Sequence, residues 1–355
     1  MDLGSLCARI GKAAAWTDLL PVALFVVACW RIHAAPKGQC FDDPLDKAQG
    51  LAWRGLFAGV VVLHHLAAAM PRTGLVFPCF LSMGRLAVAV FFGLSGYGLM
   101  VQFRKRRDYL DGFWHKRLSS LWCPYLIMGV LCAFQTLRDG NALLPQVAAQ
   151  LGFVKFGWFC TVLVALYGVF WSVFRRYPDG GLVSLALVAA GVSAVSAAFF
   201  FLSGNPMVAA SNGAFVSGML LGYCGNGLAA TLQRWLCWLL LPIAALAALR
   251  FLLPPAIMSD HRFAVSVCIN MLAFVVLAVL GLKFRLGNGI LNGLGTVSYE
   301  LYLAHGWVMD EIRHWWPGLA GAPYAWAVVA GSVTMAWAIH WGGGWLRGRA
   351  HGRSS

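Results

Sequence analysis

The chain has 355 residues, of which 60% are hydrophobic and only 11% charged, with a formal net charge of +14. A soluble globular domain carries about 25% charged residues, so this composition cannot cover a water-facing surface and excludes a soluble protein. The excess of Lys and Arg sits between apolar runs, where it faces cytoplasm and anionic headgroups. That placement argues against nucleic acid as the partner and for the lipid bilayer.

Apolar runs follow one another at 14–34, 50–70, 82–103, 119–137, 156–174, 181–203, 208–224, 235–253, 264–283, 290–311 and 321–343. Each approaches the roughly 20 residues that a helix needs to cross the hydrocarbon. Backbone polar groups in lipid must be satisfied within each segment, so the runs are predicted to be helices. The period-two alternation of an outer-membrane barrel is absent. The expected fold is an all-α integral membrane protein, a polytopic helical bundle.

Loop charge sets the orientation. Arg104, Lys105, Arg106, Arg107, Lys116 and Arg117 form the strongest basic loop, which we place in the cytoplasm. Alternation then puts eleven further Lys and Arg on that side, seventeen in all, against seven outside. The N-terminus is expected outside and the C-terminus inside. Val26-Val27-Ala28-Cys29 resembles a lipoprotein cleavage site, but cleavage there would move the Arg104–Arg107 cluster outside, against the charge pattern.

Residues 35–50 read as a loop that joins a peripheral first helix to a core of ten. The organisation is therefore 1–49, an N-terminal transmembrane helix with its loop; 50–346, the core; and 347–355, a basic tail. Gly55/Gly59, Gly218/Gly222 and Gly289/Gly293 have the small-xxx-small spacing of close helix packing. The ten cysteines are scattered without metal-ligand spacing and read as small core residues. No metal site is expected.

Ionisable residues at depth each cost roughly 2.5–3.5 kcal/mol on insertion scales and must face the bundle interior. Arg54 and His65 are eleven residues apart, which returns to nearly the same helix face about 16 Å further along the axis. His64 is rotated away by about 80° from Arg54 on the ideal geometry of about 100° per residue. Snorkelling explains Arg54 alone, and packing explains His65 alone; together they form an inward stripe. Arg85 lies near the outer surface, where snorkelling also accounts for it. Ser95-Gly96-Tyr97-Gly98 fits a tight helix contact or a ligand contact. In the tenth run Glu300 and His305 are both ionisable, and Tyr302 shares a face with His305. His305-x4-Asp310 matches a motif of soluble glycerolipid acyltransferases, but five helical steps turn the two side chains about 140° apart.

At these residues the chain resembles the membrane acyltransferase-3 family, which includes bacterial O-acetylases of sugars and cell-envelope glycans. Four stretches carry the resemblance in order: Arg54-x10-His65; Phe91-Phe92-Gly93-Leu94-Ser95-Gly96-Tyr97; the basic loop Lys116-Arg117 leading to Pro124-Tyr125; and Ser298-Tyr299-Glu300-Leu301-Tyr302-Leu303-Ala304-His305. Two positions depart from the family pattern, Ser120 where a second Arg is usual and Ala89 where an acidic residue is.

The resemblance implies a ten-helix acyltransferase core plus one N-terminal helix in a bacterial inner membrane. It implies acyl-CoA as co-substrate, a glycan or glycolipid acceptor, and no bound cofactor. By the same resemblance His65, Arg54 and His305 are catalytic. Arg54, Lys116 and Arg117 meet the CoA phosphates, for which arginine offers a planar donor fork. Arg85, Ser95, Tyr299, Glu300 and Tyr302 support the site or bind the acceptor. His65 can take a hydroxyl proton or carry the acyl group briefly. A transporter or flippase for an envelope glycolipid would also need polar residues inside a bundle, and a family member without activity would keep the same scaffold.

Overall fold

In the computed structural model, residues 12–70, 76–106, 108–145, 158–203, 209–234 and 255–351 are described, with isolated positions between them. The elements in chain order are α1 (Lys12–Cys29), β1 (Ile32–Ala34), α2 (Lys47–Ala69), a 3-10 turn (Phe77–Ser82), α3 (Gly84–Lys105) and α4 (Phe113–Arg138). They continue with α5 (Trp158–Arg176), α6 (Leu182–Ser203), α7 (Gly213–Arg234), α8 (Pro255–Leu280) and β2 (Phe284–Leu286). The last three are α9 (Gly289–Thr296), α10 (Ser298–Trp315) and α11 (Gly321–His351). Among the described residues seven helices are long and apolar enough to cross a membrane. The chain is an all-α polytopic membrane protein. The expected run at 235–253 falls almost wholly outside the described residues.

Large apolar side chains such as Phe134, Leu182, Val183 and Leu202 lie exposed on the outside of the bundle. In water this would be costly; in lipid it is the solvated surface. The interior is held by close backbone approach at glycines. A Cβ on Gly218 would lie 2.0 Å from the Gly93 carbonyl oxygen, and one on Gly96 would lie 2.1 Å from that of Phe215. Only glycine lets α3 and α7 meet at that distance. Within the Ser95–Gly98 stretch Gly96 makes this helix contact, whereas a Cβ on Gly98 would meet nothing within 4 Å and Ser95 is half-buried.

The tenth apolar run is not one helix. It breaks at Val297, where φ −105° and ψ 17° separate α9 from α10. The reason lies in the packing of α9 on α2. A Cβ on Gly55 would lie 2.1 Å from the Leu291 carbonyl oxygen, and one on Gly295 would lie 2.0 Å from that of Leu51. Gly289, by contrast, has open space beside it, and the nearest atom to a Cβ on Gly293 is a Trp337 ring carbon at 3.8 Å. The close contact of α9 is therefore made by Gly295, not by the Gly289/Gly293 pair.

The segment after α1 is stitched to the core at the end of the bundle that carries Lys47, Arg104 and Arg117, hereafter the basic end. β1 pairs with β2 antiparallel, Ile32 opposite Leu286 and Ala34 opposite Phe284. Gln49 fills the gap beside this ribbon, donating to the Phe284 carbonyl and accepting from the Leu286 amide. Tyr97 Oη donates to Asp43 Oδ1 at 2.6 Å. Arg285 donates to the carbonyl of Asp43 at 2.5 Å and lies 3.3 Å from an Asp46 carboxylate oxygen. Asn288 caps α9 and also donates to the carbonyls of Val27 and Trp30 at the end of α1. This satisfies carbonyls that the end of α1 leaves without helical partners.

Candidate active site

α2 presents Arg54 and His65, and α10 presents His305. The His65 and His305 rings lie 4.7 Å apart, centre to centre, with 41° between their planes. The two residues are 240 positions apart in sequence, so only the packing of α10 on α2 creates the pair. His305 is buried, at 6% exposure, and its Nδ1 lies 3.2 Å from the Leu301 carbonyl oxygen. A carbonyl only accepts, so this bond needs the proton on Nδ1 and leaves Nε2 as the free acceptor. The Tyr302 ring packs between His305, at 6.0 Å, and Phe159 of α5, at 5.1 Å.

A third imidazole completes the cluster. His64 lies 5.0 Å from the His65 ring in an edge-on arrangement, and its Nδ1 is 3.0 Å from the Phe80 carbonyl oxygen in the 3-10 turn. Gly84 makes room for it, since a Cβ there would sit 2.3 Å from the His64 ring. The helical-wheel angle places His64 off the stripe, yet a flat ring next in sequence still reaches its neighbour. His64 was legible only as an adjacent histidine. Among the described residues no group of three His, Cys, Asp or Glu is arranged to hold a metal ion.

α2 packs against α1, α3, α9 and α10, yet Arg54 and His65 are not packed over, although protein atoms surround both. Between them Ala58 and Val61, on the same face, are buried at 2% exposure each. The stripe is thus open at Arg54 and at His65 and closed by two small side chains in the middle.

At the basic end Arg54 lies within electrostatic reach of Tyr167 and Arg117. Arg117 hydrogen-bonds the Tyr109 hydroxyl and lies over two rings, 5.6 Å from that of Tyr167 and 5.8 Å from that of Phe113. Cation–ring contacts and a planar fork hold this guanidinium in place. Lys116 is exposed at the start of α4, within electrostatic reach of Asp108. Asp108 lies in the loop before α4, where the Arg106 guanidinium, 3.1 Å away, holds its carboxyl below the usual range. Ser120 Oγ donates to the Arg117 carbonyl of its own helix.

The other expected residues bind helices together. Tyr299 Oη donates to the Leu121 carbonyl of α4 at 3.1 Å and lies 3.3 Å from Cys160 Sγ of α5. Glu300 is buried and lies 2.9 Å from His340 Nδ1 of α11. Arg85 donates to Ser266 Oγ of α8 at 3.3 Å, and its carbonyl accepts from Ser211 Oγ. His340 was not singled out from the sequence, although an ionisable residue inside the last apolar run is the same signal that marked Glu300.

His305 and Asp310 diverge as the helical spacing requires. His305 turns inward to His65, whereas Asp310 lines a polar cavity at the opposite end of the bundle from the basic end, hereafter the far end. No curated protein and no solved structure matches the chain. The family profile described as an acyltransferase domain matches residues 52–341, which spans α2 through most of α11 and includes Arg54, His65 and His305. On that match the chain belongs to the membrane acyltransferase-3 family, and is a membrane acyltransferase.

Proposed function

We propose that this protein transfers an acyl group, acetyl in the simplest case, from acyl-CoA at the basic end to a hydroxyl of a cell-envelope or exported glycan at the far end. The basic end then faces the cytoplasm of a bacterial inner membrane, with the N-terminus outside and the C-terminus inside, as the loop charges favour. The observation that carries this reading is the His65–His305 ring pair at 4.7 Å, on the same face of α2 as Arg54.

The parts divide as follows. Arg117, held by Tyr109 and Tyr167, and Arg54 within electrostatic reach of it attract the donor phosphates. The stripe is closed at Ala58 and Val61, so on this reading the helices part there to admit the thin thioester arm of the donor and not its nucleotide. At His65 the acceptor oxygen attacks the thioester carbon, the carbon–oxygen bond forms and the carbon–sulfur bond breaks. The imidazole takes the hydroxyl proton, and that proton is returned to the departing thiolate. His305 packs against His65 from a fixed tautomer and keeps its ring oriented. Tyr302, Tyr299 and Glu300 fix α10 against α5, α4 and α11, which positions His305.

The test is purified protein in vesicles with labelled acetyl-CoA and an acceptor polysaccharide. His65→Ala is expected to lose transfer by at least 100-fold, the lower range for a general base. Full transfer by a folded His65→Ala protein would sink the assignment. Rapid denaturation at neutral pH with donor alone separates the two roles of His65, because only an acyl carrier leaves label on the protein. Saccharide movement without CoA release would instead identify a transporter.

A further inference from the structure

The family profile begins at residue 52, so α1 precedes it, yet α1 reaches the imidazole cluster through a chain of hydrogen bonds. The link starts at Asp18. Its Oδ1 accepts from the amides of Val76, at 3.1 Å, and Phe77, at 2.8 Å. These amides open the 3-10 turn Phe77–Ser82, where the first N–H groups have no partner inside the turn. Val76, at the cap position, supplies no side chain that could take them. Gly74 brings the chain over the carboxylate at φ +84°, and a Cβ there would lie 2.5 Å from Asp18 Oδ1. A carboxylate that accepts two amides makes charge-assisted bonds, and here they fix the entry of a turn whose own hydrogen-bond geometry is poor. Leu20 of α1 and Phe77 and Phe80 of the turn lie in one buried cluster, which presses the two elements together.

The other end of the turn holds His64. The Phe80 carbonyl accepts from the Met83 amide at 3.0 Å and from His64 Nδ1 at 3.0 Å. Both of its lone pairs are used, so it cannot swing without breaking a bond. On its other flank the His64 ring lies against the backbone of α3, since a Cβ on Gly84 would be 2.3 Å from its Cδ2 and 2.5 Å from its Nε2. The ring pinned in this way stands edge-on to His65 at 5.0 Å, and His65 lies 4.7 Å from His305. Two imidazoles thus pack against His65, and the turn holds one of them.

We infer that Asp18 is a positioning residue for acyl transfer: through the 3-10 turn and His64 it holds the His65 ring against His305, which makes α1 part of the working unit. The inference rests on the acyl-transfer reading above and adds to it the device that orients the base. Alignment of this kind governs rate steeply, and a misplacement of about 1 Å caused by a distant change can cost about 100-fold. The donor site is spared, because Arg54 lies about 16 Å from His65 along α2. The loss therefore falls on kcat and not on KM for acetyl-CoA.

The experiment compares the full-length protein with Asp18→Ala, Asp18→Asn and Gly74→Ala in nanodiscs, using acetyl-CoA and an acceptor polysaccharide, and adds a readout that needs no turnover. In protein carrying isotope-labelled histidine, magic-angle-spinning NMR is expected to show a ring-to-ring cross-peak between His65 and His305, assigned by its loss in both His65→Ala and His305→Ala. Asp18→Ala is expected to lower kcat about tenfold or more, with KM for acetyl-CoA within about twofold, and to weaken the cross-peak at least twofold. Asp18→Asn keeps Oδ1 as the acceptor of both amides and is expected to restore the cross-peak and most of kcat. Gly74→Ala is strained at its positive φ and pushes on the same carboxylate, so it is expected to reproduce the Asp18→Ala defect and carries the prediction where Asp18→Ala does not fold. Asp18→Ala/His64→Ala is expected to be no slower than the slower single variant, because the two residues act along one path. A cross-peak missing from the wild type or unchanged in Asp18→Ala, a rise in KM in place of the fall in kcat, additive losses in the double variant, or Asp18→Asn as slow as Asp18→Ala would each overturn the inference. Full transfer by His65→Ala refutes the acyl-transfer reading instead, and the cross-peak still judges the part played by Asp18. An inactive His65→Ala beside a fully active Asp18→Ala refutes the role of Asp18 alone.

Discussion

Gly55 and Gly59 lie one helical turn apart on α2 and share a sequence signature, yet their surroundings predict opposite responses to Ala. At Gly55 an added Cβ would lie 2.1 Å from the Leu291 carbonyl oxygen and 2.8 Å from the Gly295 nitrogen, both backbone atoms of α9. An ordinary carbon–oxygen contact is about 3.3 Å or more, so α9 must retreat by roughly 1.2 Å. Overpacking of this kind costs about 1–3 kcal/mol. At about 2 °C per kcal/mol, the lower range for large domains, the unfolding midpoint should fall by roughly 2–6 °C. At Gly59 the nearest atom is Leu24 Cδ1 at 3.0 Å, the tip of a side chain that can rotate away. There the better helix propensity of Ala, worth up to about 1 kcal/mol, is expected to leave the midpoint unchanged or raised. Thermal unfolding in one detergent measures both variants. Because Gly55 adjoins Arg54, Gly55→Ala should also raise KM for acetyl-CoA. Equal midpoints for the two variants would show that the α2–α9 contact is not as tight as described and refute the reasoning.

Arg117→Lys keeps the charge but loses the planar contacts with Tyr167 and Phe113, so KM for acetyl-CoA should rise about three- to tenfold with kcat little changed, as steady-state kinetics would reveal. His340→Ala leaves the Glu300 carboxyl buried without its partner; a loss of roughly 1–3 kcal/mol is expected, read as a lower unfolding midpoint, with Glu300→Gln/His340→Ala recovering part of it. Tyr299→Phe removes the hydrogen bond to the Leu121 carbonyl, a change of about 1 kcal/mol that denaturation should resolve while transfer activity persists. A Tyr299→Phe protein that is stable but inactive would place this hydroxyl at the reacting atoms instead.

Much of the site could be read from the chain because helical periodicity is local. Arg54 and His65 fall on one face by their spacing alone, and α2 has the length and composition to hold them across a membrane. The pattern around Ser298–His305 marked α10 in the same way. What spacing does not contain is which helices touch. Glu300 is close in sequence to His305, but its partner is His340 on α11. Tyr299 turns to α4 and α5. The glycines show the same limit, since Gly55 and Gly289 sit in identical patterns and only one meets a backbone.

Composition and hydropathy determined that this chain is a bundle of membrane helices, because the cost of burying charge and backbone in lipid acts on each segment alone. The tertiary structure decided the rest. It broke the tenth run at Val297, because α9 must lie flat on Gly55 while α10 turns inward. It tied α1 to the core through β1, β2, Asn288 and Arg285, pairings that reading 35–50 as a connecting loop does not contain. It also set His305 beside His65, a contact over 240 residues that depends on how whole helix surfaces fit and that no local pattern encodes.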